Sequence, residues 1–111
     1  MIFMDRKIIW LTVFTIVLSV LAVAFLWKYT WALFGVLLVI TIYNFIVSKS
    51  MAEMKMFIFG AIIGPVFEMF VISFGAWAYP APNLYNIPVW LILLWGLATL
   101  VLIRAKDYFQ N

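Results

Sequence analysis

One carboxylate carries most of the chemistry that this chain could do. Glu68 stands inside 56–78, MFIFGAIIGPVFEMFVISFGAWA, a run with no other ionisable side chain. A charge at bilayer mid-depth costs on the order of 3 kcal/mol or more, so such a residue normally faces a bundle interior and marks a working site. On a helix, Gly60, Gly64 and Glu68 recur every four residues and Gly75 follows seven later, which places all four on one face. Small residues at that spacing admit a neighbouring helix, so the stripe predicts that Glu68 lies at a helix–helix contact. Pro65 cannot donate to the carbonyl of Ala61, which predicts a kink beside the acid.

Aligning the four apolar segments by their midpoints brings Thr15, Ser19, Thr41, Trp95 and Thr99 to the depth of Glu68. Asn44 falls nearer the basic boundary. The expected ligand or proton site is therefore Glu68, Trp95, Thr99, Ser19 and Thr41, with Gly60, Gly64 and Gly75 as packing positions. Glu68 is also the one candidate for a catalytic acid. No Lys or Arg lies at its depth to act as counter-ion. The plainer alternative is that Glu68 is a hydrogen-bonded packing residue.

The scaffold around these residues follows from composition. The chain is 69% hydrophobic and 10% charged, against roughly 25% charged in a soluble domain. Its apolar segments, 8–26, 31–47, 56–78 and 87–103, each approach the ~20 residues that cross a hydrocarbon core of about 30 Å. Transmembrane strands would be about 10 residues long with alternating polarity, and no such pattern occurs. The expected fold is an all-α, four-helix transmembrane bundle forming one integral membrane domain over 1–111.

Orientation follows from the basic residues. Four spans put Arg6, Lys7, Lys49, Lys55, Arg104 and Lys106 on one side and Lys28 on the other. The positive-inside bias predicts both termini in the cytoplasm, in a prokaryotic cytoplasmic membrane. The net charge of +3 is scattered over helix ends, with no patch for nucleic acid. Trp27, Tyr29, Trp31, Trp77, Tyr79, Tyr85 and Trp90 gather at the opposite boundary as an interfacial aromatic belt.

The connections are short. Residues 27–30 force the first two helices to be antiparallel neighbours. The 48–55 segment, SKSMAEMK, is expected to be a cytoplasmic loop in which Glu53 and Lys55 are solvated. Pro80 and Pro82 are expected to stop the third helix, Pro88 to sit in the first turn of the fourth, and the neutral loop between to rest on headgroups. Ala22-Val23-Ala24 has the form of a signal-peptidase site, but the chain stays apolar through Trp27, which favours an uncleaved first helix.

Absences prune the chemistry. With no His and no Cys, tetrahedral zinc, iron–sulfur clusters and thiol catalysis are excluded, and no metal or cofactor is expected. No Ser has an acid–base partner, and no glycine-rich loop could cradle phosphate.

Gly64-Pro65-x-x-Glu68, Gly75, Ala78-Tyr79-Pro80 and Pro88-x-Trp90-Leu91-x-x-Leu94-Trp95 resemble the second half of a family of small uncharacterised bacterial inner-membrane proteins. The likeness covers about a third of the chain, and it has Glu where that family's pattern has Asp. It implies a four- or five-helix bundle linked to membrane-lipid metabolism and supplies no activity. Small multidrug-resistance transporters share the length and a single membrane Glu, but theirs lies in the first helix. Enzymes that protonate isoprenoids also place an acid in an aromatic pocket, which Glu68 with Trp77, Trp90 and Trp95 could imitate. Three readings result: a protein that binds or moves a proton or a small lipophilic or cationic ligand, an accessory subunit of a larger membrane complex, and a lipid- or isoprenoid-modifying enzyme. Beyond the bilayer, the expected partner is a second copy or a larger complex, and an enzyme is the least favoured of the three.

Overall fold

The computed structural model describes residues 6–80 and 82–110; residues 1–5, the start of the basic lead-in, lie outside them. Four helices follow in order: α1 Arg6–Leu26, α2 Thr30–Ser48, α3 Met51–Ile72 and α4 Trp90–Phe109. No strand occurs among the described residues, only an isolated bridge between Leu84 and Ile87. The body is 43 Å long, close to the 40–45 Å of a bilayer with its headgroup regions. Its flanks are apolar: Phe14, Val20, Phe25, Val39, Ile46, Phe59, Phe67 and Phe70 are all exposed. An apolar girdle of this extent is far larger than a soluble monomer tolerates. Three helices, α1, α2 and α3, are long and apolar enough to cross a membrane.

The fourth helix differs in kind. α4 begins at Trp90 and runs on to Phe109, past the expected end at 103, and so takes in Arg104, Lys106 and Asp107. It is also the hub, packing against α1, α2 and α3, while α1 and α2 pair with each other. The core is built around it: Leu91, Leu97 and Leu100 of α4 meet Leu33 and Leu37 of α2 in one buried cluster. The least apolar helix is thus the one most enclosed by protein, where its polar groups can find partners.

α3 departs most from expectation. It starts at Met51 and ends at Ile72, five residues earlier at the start and six earlier at the end than 56–78. Its start is set by Ser50, whose hydroxyl accepts from the Glu53 N–H at 3.2 Å, the capping role that serine favours. Only Lys49 and Ser50 join α2 to α3, with Lys49 in the left-handed region at φ 51°. The 48–55 segment is therefore mostly helix. The end of α3 precedes Pro80 and Pro82. Ser73 Oγ donates to the carbonyls of Met69 (2.9 Å) and Phe70 (2.7 Å); it takes the place of the Phe74 N–H at Phe70, and that N–H bonds the Val71 carbonyl instead. Gly75 then turns the chain at φ 84°, a conformation that glycine adopts without a steric penalty. Gly75 consequently lies off the packing stripe, and a Cβ there would touch nothing. Pro65 is held inside α3, which continues beyond it to Ile72.

Residues 73–80 and 82–89 fold over the end of the bundle. Asn83 Oδ1 accepts from the Val89 N–H at 2.8 Å, Asn86 Nδ2 donates to the Met69 carbonyl at 3.1 Å, and Ile87 is fully buried. Pro88 stands just before α4, its carbonyl accepting from Leu91.

Candidate functional site

α3 and α4 pack antiparallel in a regular register. Glu53 faces Arg104, Gly60 faces Thr99 and Gly64 faces Trp95. The glycines make this close approach possible: a Cβ on Gly60 would fall 1.8 Å from Thr99 Oγ1, and one on Gly64 2.0 Å from Trp95 Cδ2. Gly96 repeats the device in α4, leaving room for the Phe57 ring. These pairs fix the rotation of α3 about its axis, and that rotation turns Glu68 inward.

Glu68 is buried one turn before the end of α3, close to the rim of the bundle opposite its basic end and well away from its middle. Three neutral groups donate to its carboxylate. Trp95 Nε1 bonds Oε2, while Tyr79 Oη (2.5 Å) and Trp77 Nε1 (3.3 Å) bond Oε1. Trp95 comes from the glycine-packed face of α4; Trp77 and Tyr79 come from the loop just past Gly75. Burial pushes the Tyr79 phenol well above the ordinary tyrosine range, and the adjoining Glu68 adds to the shift. The phenol therefore stays a donor at any physiological pH. Glu68 has no basic partner among the described residues. Two of the aromatics expected in an interfacial belt, Trp77 and Tyr79, bond the acid.

The other predicted members are placed as follows. Thr99 donates to the Trp95 carbonyl at 2.9 Å and so supports the tryptophan without meeting the acid. Thr41 donates to the Leu37 carbonyl at 2.8 Å within its own helix. Ser19 is buried, and its hydroxyl has no hydrogen-bond partner among the described residues. Neither Thr41 nor Ser19 bonds to Glu68, because Glu68 sits one turn from the end of α3 and not at its middle.

A second polar cluster, at the basic end, went unseen in the sequence. Arg104 is 1% exposed. Its Nε and Nη2 donate to the two oxygens of Glu53 at 3.0 and 2.9 Å, and its Nη1 to Asn44 Oδ1 at 2.7 Å and Thr12 Oγ1 at 3.3 Å. Asn44 Nδ2 in turn donates to Thr15 Oγ1 at 2.9 Å and to the Ile40 carbonyl at 2.8 Å. Glu53, expected to be solvated, is thus half of a bidentate ion pair that ties together all four helices. A signal for it was present: Ser50-x-x-Glu53 has capping-box spacing, which starts the helix at Met51 and puts Glu53 on its first turn.

Among the described residues no group of acids could hold a metal ion. The chain matches no family model, no curated protein and no solved structure.

Proposed function

We propose that this is an integral membrane protein crossing the bilayer four times, with both termini on the cytoplasmic side, and that Glu68 receives a proton or a small lipophilic cation at the outer end of the bundle. The carrying observation is a buried carboxylate met only by neutral donors. Such a group gains more from a cation than one already paired. Two of its three donors, Trp77 and Tyr79, belong to the loop that starts at Gly75, and Trp77 is 43% exposed. Movement of that loop alone would uncover Oε1 while Trp95 keeps Oε2 in place. The fourth span is supported by the enclosure of α4, whose one deeply buried charge is paired. The orientation rests on the six basic residues at the end shared by Lys49 and α4's last turns. No observation in the geometry favours the accessory-subunit or isoprenoid-enzyme reading over this one.

Two experiments test the proposal. Cysteines at Lys49 and Pro82, both exposed, are expected to label with an impermeant maleimide from opposite sides of the membrane; labelling from one side removes the four-span arrangement. For the site, calorimetric titration of the detergent-solubilised chain with tetraphenylphosphonium, in two buffers of different ionisation enthalpy, counts protons released per cation bound. Binding that is weakened at least tenfold in Glu68→Gln supports the site. Equal binding by parent and variant refutes it.

A further inference from the structure

The α1–α2 hairpin leaves an open crevice on the flank of the bundle, away from Glu68. Its half nearest the basic end has a volume of about 520 Å³ and is lined by Lys7, Trp10, Phe14, Thr15, Tyr43 and Asn44, with apolar residues below them. Leu18 and Val39 mark the junction with a second, wholly apolar trough of about 730 Å³ that runs on past Gly35 toward Phe25. A Cβ on Gly35 would meet nothing, so the trough is not closed by helix packing.

Three features of the first half agree on its occupant. From Lys7 to Leu18 the helix rises about 16 Å at 1.5 Å per residue, which is half of a hydrocarbon core of about 30 Å, or one leaflet. Polarity is graded along that length. Lys7, which makes a further contact within the chain, stands at the mouth with Trp10 and Tyr43, both exposed; Phe14, Leu18 and Val39 follow. Amphipathic rings of this kind sit at headgroup level. The mouth also lies at the end that carries Arg6, Lys7 and Lys49, and basic residues there attract the anionic lipids of the cytoplasmic leaflet. The wall behind the mouth is firm, because Asn44 and Thr15 are bonded to each other and Asn44 to Arg104.

We propose that this crevice binds one anionic phospholipid of the cytoplasmic leaflet, with its phosphate at Lys7 and one acyl chain lying between α1 and α2 as far as Leu18. The inference rests on the orientation proposed above and on nothing at Glu68.

The test is native mass spectrometry of the full chain in mild detergent, given phosphatidylglycerol and phosphatidylcholine in equal amounts. One phosphatidylglycerol per chain is expected to be retained in preference to phosphatidylcholine. Lys7→Gln should lower that preference about fivefold, the effect of one basic residue at an anionic surface. Val39→Phe, at a position 66% exposed, fills the slot without touching the core; it should lower retention of both lipids and leave the preference unchanged. Helix content, followed by circular dichroism, should match the parent in both variants. Inorganic phosphate alone should not displace the lipid. Equal retention of the two lipids by the parent refutes the proposal, as does displacement by phosphate or an unchanged result in both variants. A dimer mass that Val39→Phe abolishes would give the crevice to a second copy of the chain and refute it too. A failure here leaves the cation titration at Glu68 untouched, and the reverse also holds.

Discussion

α3 carries a buried or nearly buried acid toward each end, and the two are treated in opposite ways. Glu53 meets a guanidinium in a bidentate pair, with Asn44 and Thr12 taking up the remaining donor. Glu68 meets two indoles and a phenol. In the first cluster the charges cancel inside the chain, and every bond that Arg104 makes joins α4 to another helix. In the second the acid's geometry is satisfied but its charge is not. An acid with its own cation is most simply a structural element; one provided only with neutral donors is left able to accept a cation or a proton from outside. The two acids sit on the same helix, so what distinguishes them is the partner that α4 and the loop supply.

The largest loss is expected at the paired end. Arg104→Leu leaves Glu53 and Asn44 without their donor in a largely buried place, and should cost about 3–5 kcal/mol. The measurement is thermal or denaturant unfolding in detergent. Adding Glu53→Leu to Arg104→Leu should recover most of the loss, because the stranded charge is then gone. If the double variant is as unstable as the single, the pair is not the lock that the geometry implies.

Gly64→Leu comes next. Its side chain would enter the space of Trp95, and overpacking of this kind costs about 1–3 kcal/mol. Because Trp95 would also be displaced from Glu68, cation binding should fall with stability. Val66→Leu, at a position 56% exposed, should change stability by less than about 0.5 kcal/mol. Equal losses at the two positions would mean that α3 is rotated from the face described.

Glu68→Gln should be smaller still. Gln offers one acceptor oxygen to three donors, so at least one donor is stranded, at a cost of about 1–2 kcal/mol. The variant should fold and lose cation binding, separating stability from function at this end. The corresponding change at the other acid, Glu53→Gln, should lose stability and keep binding. The smallest effect expected is for Trp77→Phe, which removes a bond of 3.3 Å from an exposed ring. It should cost less than about 1 kcal/mol and, by loosening the cap over Oε1, speed cation entry in stopped-flow measurements.

The two ends were unequally legible in the sequence. The apolar segments and the short α1–α2 connection gave the helices and their pairing, because hydropathy reports directly on which stretches leave water. The spacing of Gly60, Gly64 and Glu68 identifies the face that packs, and Trp95, expected near the acid, bonds it. The boundaries of α3 were misjudged, because hydropathy continues through Ser73–Ala78 while the backbone does not. What ends the helix there is a serine competing for carbonyls and a glycine with positive φ, and both are local effects invisible to an apolar run. That error displaced Glu68 from the rim to the centre and brought Ser19 and Thr41 into a site they do not reach. The Arg104 cluster was missed for another reason. Basic residues near helix ends read as topology markers, and nothing in one sequence says which of them folds inward to a partner 51 positions away.

The hub position of α4 has a consequence for how this protein is made. During synthesis α4 is the last of the four helices to emerge, yet it is the one on which α3 chiefly rests. Before it arrives, α3 touches its predecessors through little more than the Phe45–Phe57 ring contact, and its glycine stripe and both acids lack the face that covers them. α1, α2 and α3 are apolar enough to enter the membrane on their own account, whereas α4 must carry Arg104 into a place that Glu53 and Asn44 have to be holding ready. Maturation thus depends on the arrival of its least apolar helix, and a nascent chain halted at Pro88 should be a substrate for membrane quality control.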